Sequence, residues 1–355
     1  MKKIILLIIF IIISTGCSDY KELNMLSYIT GIGYDYKDNM YHITYEVMDN
    51  KKNGASVETK TYTVTGIGSN TYDAHMDAAT KLNKTAYYSH AQVVVMTKNI
   101  LENKLLDVLD SIIRNPRLNE EFKLIVIEDS SIEDLFNSKT DAWPSVSFYL
   151  QSLITQNTYS KNIYTNMPLA IFAELISSHN KDPLVSQIKL EDKNIILDKT
   201  LLFSKDNLVG SITTFETNVF NALNDESIKI SLSVNINGEQ IDTATSLSNT
   251  IINIKNNELI IKTNSLSEIK KSSKNINLYK EKDLNLIQSK IEDKLTTTIN
   301  ILLNKLKLYK SDIFAFSNIY YINYRIDNEY LWTTFNNNIN ITSTISRKGI
   351  IYNVN

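Results

Sequence analysis

The sequence has few of the residues that cross-link or interrupt a chain: its 355 residues include one cysteine, four prolines and nine glycines. A single cysteine excludes an intrachain disulfide framework, so an apolar core has to stabilise the fold. Only four of the 37 lysine and arginine residues are arginine, and the net charge of −2 gives no basic excess for binding nucleic acid. The four histidines show no spacing typical of a metal-ligand set.

Long apolar runs are also missing, apart from one at the N-terminus. Ile4–Ile13 is apolar throughout, follows Lys2 and Lys3, and leads into Ser14-Thr15-Gly16-Cys17. This run is too short to span a bilayer as a helix, which needs roughly 20 apolar residues. A basic start, a short apolar core and small residues at a boundary are typical of a secretory signal peptide, here residues 1–16.

Cys17 is predicted to accept a bacterial lipid anchor, because a lone thiol directly follows Thr15 and Gly16. The position three before the lipidated cysteine is normally Leu and here is Ser14. An ordinary cleaved signal peptide with an incidental cysteine is the alternative. Two or more acyl chains, such as palmitate, would hold the protein on a membrane at about 0.8 kcal/mol per buried methylene. The mature chain would carry a net charge of −4, since two lysines leave with the signal peptide.

The pattern after the signal peptide divides into three regions, 17–185, 186–265 and 266–355. The first region has the predicted order β-β-β-α-β-α-β, which favours a layered sheet with helices on at least one face. The helix after Ser69 is expected to bury a stripe of Tyr72, Met76, Ala79 and Leu82. The predicted elements are strands at Tyr28–Tyr34, Met40–Met48, Thr59–Thr65, Tyr87–Met96 and Phe122–Ile127, a helix at Leu101–Ile113, and mainly helical structure over 130–182.

The second region is β-rich, and the third begins with the longest predicted helix. That helix, Asp283–Leu308, has apolar residues at a period near 3.6, so one face is expected to be buried. Ser311 or Asp312 is expected to cap a short helix that follows. The remaining predictions are a helix at Thr214–Leu223 and strands at Ile195–Phe203, Leu208–Ile212, Ile228–Val234, Ile251–Ile254, Leu259–Lys262 and Ile339–Ile345.

Two histidine-containing segments invite a catalytic or metal interpretation. Asp73 and Asp77 share one face of a helix, but His75 lies between them and points away from both, so no metal site is expected. Ser89 and His90, as neighbours on a strand, would face opposite sides and form no nucleophile–base pair. His90 is instead expected to make a structural hydrogen bond.

Glycine pairs and carboxylates give no stronger signal. Gly31-Ile32-Gly33 and Gly66-Ile67-Gly68 are each half of a phosphate-binding loop, and strand ends or turns explain them better. Carboxylate pairs of the glycosidase type are not excluded by the sequence, although none stands out.

The arginines and one tryptophan are the remaining candidate site residues. Arginine pairs with carboxylates in a bidentate way that lysine does not copy, and it is enriched at interface hot spots. We therefore expect structural braces or partner contacts at Arg114, Arg117, Arg325 and Arg347. Trp332 is expected to anchor the core, and Asp312 joins it as a candidate structural or partner-facing residue.

Six segments in order resemble one family, the Ger(x)C lipoproteins, which are the C subunits of GerA-type spore germinant receptors. The sequence departs from the family in having Ser18 where Trp is common, Ser89 where glycine is frequent, and Ala315 where glycine is usual. The segments are Cys17–Asn24, Ile29–Asp35, Tyr87–Val95, Arg114–Arg117, Phe203–Gly210, and Ser311–Phe316 followed by Trp332 and Ser346–Gly349.

The resemblance implies an α+β protein of three mixed α/β domains, each a sheet with packed helices. It also implies a lipoprotein on the outer face of the spore's inner membrane, beside a polytopic A subunit and a transporter-like B subunit. Such a complex senses nutrients and triggers germination, and no enzymatic activity or cofactor is attributed to its C subunit. Two other functions stay open: a lipoprotein that binds a small nutrient and passes it to a transporter, and an exported hydrolase.

Overall fold

The protein contains two β-sheets with helices packed on them. The structure is a computed structural model that describes residues 25–53, 56–115, 118, 121–128, 130–138, 140, 143–155, 164–178, 180–192, 194–272, 278 and 280–347. Residues 50–53, 56–58 and 347 are described by their backbone alone. The predicted signal peptide, Cys17 and Arg117 lie outside these residues. Among the helices described, none is long and apolar enough to cross a membrane.

The first sheet has nine strands in the order β3-β2-β1-β5-β6-β7-β8-β9, and β4 pairs with β1. Its centre, from β1 through β5 and β6 to β7, is parallel, and antiparallel hairpins flank it on both sides. The strands are β1 (Leu26–Lys37), β2 (Met40–Asn53), β3 (Ser56–Gly68), β4 (Thr85–Tyr87), β5 (Val93–Thr97), β6 (Lys123–Ile127), β7 (Leu184–Glu191), β8 (Asn194–Ser204) and β9 (Asn207–Thr213).

Helices cover both faces of the parallel centre, as the continuous apolar strands require. Val94 and Met96 of β5 face a core built with α1, α2, α3 and α6, whereas Val93 and Val95 face a core built with α4 and α5. These helices are α1 (Thr71–Thr80), α2 (Lys98–Asn103), α3 (Leu105–Ile113), α4 (Ile132–Phe136), α5 (Val146–Thr155) and α6 (Leu169–Ser178).

The second sheet has four strands in the order β10-β11-β12-β13. They are β10 (Lys229–Ile236), β11 (Glu239–Lys255), β12 (Glu258–Lys271) and β13 (Asn336–Arg347), accompanied by α7 (Thr214–Asn224), α8 (Glu281–Tyr309), α9 (Phe316–Tyr324) and a 3-10 turn (Leu331–Thr334). β13 runs parallel to β12 and is reached through α8. The predicted apolar face of α8, including Ile287, Leu295 and Leu303, is buried in the same core as the sheet, which confirms that prediction.

The predicted buried stripe of α1 is wrong. Tyr72 is 70% exposed and Met76 is 48% exposed, whereas Ala74 and Ala78 are fully buried. α1 packs so closely on β3 that a Cβ atom at Gly66 would lie 2.1 Å from the carbonyl oxygen of Ala74. Only small side chains fit such a contact, so the alanines face the sheet and the large side chains face away.

Two further predictions over 87–113 need correction. The single strand Tyr87–Met96 is divided into β4 and β5, with Ser89 and His90 in a turn between them. The ring of His90 packs edge-on against Tyr28, with 5.4 Å between centroids. The single helix Leu101–Ile113 is interrupted at Lys104, whose φ of −140° and ψ of 15° are not helical.

Strand β7 (Leu184–Glu191) was not predicted, and it carries the first sheet across residue 185. The predicted border between residues 185 and 186 falls within β7, and the border between 265 and 266 falls within β12. The division into three domains therefore stays a prediction. The mixed α/β content, with helices packed on sheets, is confirmed.

Candidate functional site

The candidate site is the C-terminal platform, which we define as helix α9 together with the loop 325–330. Asp312 caps it, because its two carboxylate oxygens accept the backbone N–H groups of Phe316 and Ser317, each at 2.7 Å. Ala315 adopts a left-handed conformation with φ of 60°, which turns the chain into the helix. The sequence prediction of a cap at this point is confirmed for Asp312.

Asp182, just before β7, ties the platform to the first sheet. Its carboxylate accepts the backbone N–H of Asp312 at 2.6 Å and that of Lys205 at 2.7 Å. In return, the backbone N–H of Asp182 donates to the carbonyl oxygen of Asp312 at 3.1 Å. The two aspartates therefore fasten three separate segments of chain, namely the start of β7, the β8–β9 turn and the beginning of α9.

Burial dominates the electrostatics beneath the platform. Burial, with a smaller contribution from the nearby charge of Asp182, raises the pKa of Asp312 to about 6, although the hydrogen bonds from Ser317 and Phe316 lower it in part. Burial also lowers the pKa of Lys181, although the charge of Asp312 partly counters that effect. Asp312 thus changes its charge near pH 6, in the range where an ordinary aspartate is already ionised.

Aromatic rings form the apolar base of the platform. Trp332 is 1% exposed, and its ring lies 5.4 Å from that of Phe316 between centroids. Phe314 contacts Phe316 at 5.6 Å, and Tyr320 contacts Phe335 at 5.4 Å. Trp332 and Asp312 are therefore buried and support the platform from within.

The outer surface of the platform is apolar and aromatic. Tyr321, Ile322, Tyr324 and Ile326 are between 42% and 56% exposed. The guanidinium carbon of Arg325 lies 5.8 Å from the ring centroid of Tyr321, within the range of a cation–π contact. Contiguous exposed apolar side chains rimmed by polar residues are typical of protein or ligand contact sites.

A polar cleft of about 370 Å³ lies beside this surface. The Nζ atom of Lys205 pairs with Glu329 Oε2 at 2.9 Å, and the Ser317 hydroxyl donates to the carbonyl oxygen of Glu329 at 2.6 Å. The cleft is lined by Asn180, Lys205, Ser317, Asn318, Tyr321, Asp327, Asn328 and Glu329. Charges of both signs therefore line one concave surface.

The structure does not bring the predicted arginines together. The side chain of Arg114 is 77% exposed and pairs with Asp110 one turn earlier, with 2.7 Å between Nε and Oδ2. Arg347 ends β13, and only its backbone is described. The sequence analysis missed Asp182, Tyr321, Ile322 and Tyr324. No local signal distinguished the exposed apolar side chains of α9 from those of a buried helix.

His75 belongs to a largely buried hydrogen-bonded network. Its Nε2 lies 3.1 Å from the Tyr34 hydroxyl and its Nδ1 lies 2.6 Å from the Tyr45 hydroxyl, which in turn contacts Tyr88 at 3.0 Å. Burial lowers the pKa of His75 to about 4. Within the described ranges, no three His, Cys, Asp or Glu side chains converge as a metal site would require.

Replacing Ala315 with glycine is expected to stabilise the protein by about 1 kcal/mol, because the left-handed backbone strains any residue with a Cβ atom. The measurement is urea unfolding followed by circular dichroism. Ala173→Gly, inside helix α6, is the control and should destabilise by about 0.5–1 kcal/mol. Equal losses at both positions would show that the conformation of residue 315 does not limit stability.

Two sequence families match the chain in succession. Residues 19–190 match the spore germination protein N-terminal domain. Residues 198–349 match the spore germination B3/GerAC-like C-terminal domain. Together these matches cover nearly all of the chain after residue 18.

Individual relatives carry related names. Spore germination protein B3 of Bacillus subtilis (strain 168) is 26% identical over 211 residues, 57% of this chain and 55% of that protein. Spore germination protein KC of the same strain is 24% identical over 174 residues, 46% of this chain and 43% of that protein. Spore germination protein GerQC of Bacillus cereus is 22% identical over 226 residues, 63% and 62% respectively. The chain thus spans about half the length of the curated relatives it matches.

A solved structure shares the fold. The crystal structure of the GerBC protein superposes with a TM-score of 0.56 at 15% identity, covering 92% of this chain and 99% of that one. The six sequence segments, both family domains and this fold agree. The protein belongs to the Ger(x)C family of spore germination proteins.

Proposed function

We propose that the protein is a lipid-anchored, non-enzymatic subunit of a germinant receptor complex, acting through protein–protein contacts at the outer face of the spore inner membrane. Family membership gives it a role in germination receptors. The main support for protein–protein contact is the exposed apolar surface of the platform, which consists of Tyr321, Ile322, Tyr324 and Ile326. Its partners are the A and B subunits of the receptor.

The mechanism is tethering. A lipid on Cys17 confines the protein to within tens of ångströms of its partners, and linked modules of this kind reach effective concentrations in the mM range. In this proposal the segment 18–24, which precedes β1 in the sequence, serves as a short spacer. At such concentrations a modest interface is enough, so a small surface such as the platform can hold the complex together.

Cys17→Ala is expected to leave the folded domains intact but to move most of the protein from the membrane fraction to the soluble fraction of spores. The germination response to nutrients should weaken in parallel, because the effective concentration near the partners falls. Fractionation with immunodetection measures the first effect, and loss of spore refractility measures the second. Ser18→Ala is the neighbouring control. A normal response with wholly soluble Cys17→Ala protein would contradict the tethering mechanism.

The cleft favours a second function, in which the protein itself binds a small nutrient and passes it to a transporter-like partner. Lys205 can meet a carboxylate and Glu329 can meet an ammonium group, which is the charge pattern of an amino acid. Calorimetry of the full-length protein with a panel of amino acids tests it. A saturable heat of binding that is lost in the Lys205→Ala protein would support this function over the receptor-subunit function. No heat of binding with any amino acid of the panel would exclude it for that panel.

A further inference from the structure

The edge strand β13 of the second sheet lacks the features that usually prevent an edge strand from pairing with another chain. β13 ends that sheet, and from Asn336 to Ser346 it contains no charged residue, no proline and no glycine. Proteins usually protect edge strands with charges or prolines, because an unprotected edge pairs with other chains. A long uncharged edge strand therefore indicates that another strand pairs with it.

Two side chains of α8 show which backbone groups point outward. Lys307 donates to the carbonyl oxygen of Phe335, and the backbone N–H of Ser343 donates to Glu292 Oε1 at 2.8 Å. In a parallel pair, alternate residues direct their backbone groups to the neighbouring strand and the others face away. Asn337, Ile339 and Ile341 share the parity of Phe335 and Ser343, so their backbone groups face outward. In the described ranges, no strand or side chain takes them up.

The charged side chains along the β13 edge are arranged symmetrically about Ile339. Phe335 and Ser343 lie four residues to either side of Ile339, and Lys307 marks one end while Glu292 marks the other. Reversing the strand about Ile339 superposes these ends, so the positive end of one copy faces the negative end of a second. An interface of this kind, in which the same patch meets itself, is the rule in symmetric dimers.

We propose that β13 pairs antiparallel with β13 of a second copy of this chain, centred on Ile339. Ile339 then lies opposite its symmetry mate, and Asn337 lies opposite Ile341 of the other copy. The uncharged sequence avoids the like-charge repulsion that destabilises directly opposed residues. Lys307 and Glu292 already bond the backbone of Phe335 and Ser343. New backbone hydrogen bonds between the two copies are therefore limited to residues 337–341.

One unpaired atom lies at the same place. The Asn337 side chain donates to Asn300 and Asn304 of α8, each at 3.1 Å, but its Oδ1 atom is buried without a hydrogen-bond partner in the described part of the chain. Buried polar atoms without partners are uncommon. In the centred register, Ser343 of the second copy lies diagonally next to Asn337 and brings a further hydroxyl group to this side of the sheet.

The centred register makes a sharp prediction for cross-linking. Asn338 of one copy lies opposite Asn340 of the other in a non-hydrogen-bonded pair, with about 4.5 Å between Cα atoms, which suits a disulfide. Both side chains are exposed, and Asn338 loses only an exposed bond to Glu258. Full-length Asn338→Cys and Asn340→Cys proteins with different tags are co-expressed, and their membranes are oxidised with copper phenanthroline.

A mixed-tag dimer formed several-fold more than either same-tag dimer is the expected result. The matched control is Thr342→Cys with Thr344→Cys, whose positions are not opposite each other in this register, and wild type carries Cys17 alone. Equal cross-linking in both pairs, no mixed dimer, or cross-links to a different protein would each overturn the proposal.

Sedimentation in detergent gives a second readout. Asn338→Lys/Asn340→Lys places lysines opposite each other on the exposed face, and the dimer dissociation constant should rise at least ten-fold with the urea unfolding midpoint unchanged. A wild-type protein that stays monomeric at every concentration, or a lysine variant that dimerises like wild type, would overturn the proposal as well.

Discussion

Glu46→Ala is expected to lower the free energy of unfolding by about 4 kcal/mol. The Glu46 side chain is fully buried, and its carboxylate accepts the backbone N–H groups of Val146 at 2.7 Å and Ser147 at 3.0 Å, where helix α5 begins. It also accepts the Thr30 hydroxyl at 2.8 Å. Alanine leaves the two backbone N–H groups without this partner, each at about 1–3 kcal/mol, and removes a carboxylate from a helix N-terminus, whereas the Thr30 hydroxyl keeps the backbone carbonyl oxygen of residue 46 at 3.2 Å.

Urea unfolding followed by circular dichroism measures this effect. Glu46→Gln keeps one acceptor oxygen and should lose about half as much stability as alanine. Glu102→Ala, at a half-exposed glutamate on α2, is the matched control and should stay within about 0.5 kcal/mol of wild type. A loss below about 1 kcal/mol for Glu46→Ala would show that the two sheet strands and α5 are not held by this carboxylate.

Two buried groups are expected to give opposite responses to pH between 4 and 7. The folded pKa of Asp312, about 6, lies above its ordinary value of 3.8, so its contribution is fully present below pH 3.8 and is lost as pH rises through 6. The folded pKa of His75, about 4, lies below its ordinary value of 6.5, so its contribution is present above pH 6.5 and is lost as pH falls through 4. Each amounts to up to about 3 kcal/mol, and in wild type they largely cancel.

Single substitutions should separate the two. Unfolding free energies are measured at pH 4, 5, 6 and 7 for wild type, Asp312→Asn and His75→Gln. Relative to wild type, Asp312→Asn should become less stable as pH falls, and His75→Gln should become more stable. Each difference should change by roughly 1 kcal/mol per pH unit. Differences that do not vary with pH would contradict the assigned role of burial at these two positions.

Much of the architecture follows from local patterns. The strand predicted at Met40–Met48 is present within β2, and the period near 3.6 in α8 required one buried face, which the structure has. The predicted neighbouring strands Tyr28–Tyr34 and Met40–Met48 form an antiparallel hairpin, and Asp38 and Asn39 in its turn both adopt positive φ values. These elements were predicted correctly because strand composition, turn residues and helical periodicity are local properties of the sequence.

The failures share a physical cause, which is contact between segments distant in sequence. The close approach of Gly66 to α1 reverses the expected stripe, and that distance is not encoded in the helix itself. Asp182 and Asp312 are 130 residues apart, so their hydrogen bond has no local signature. The exposed face of α9 was missed because Tyr321 and Ile322 are typical of buried helices by composition alone.

Affinity purification of the tagged full-length protein from spore membranes tests the central claim most directly. Wild type should recover a polytopic subunit and a transporter-like subunit, identified by mass spectrometry. Tyr321→Ser/Ile322→Ser should lose at least ten-fold of that recovery, as expected for a contact at an interface hot spot. Leu308→Ser, at a side chain 76% exposed on α8, should retain it. Undiminished recovery by the double variant, or no receptor subunits with wild type, would contradict the account.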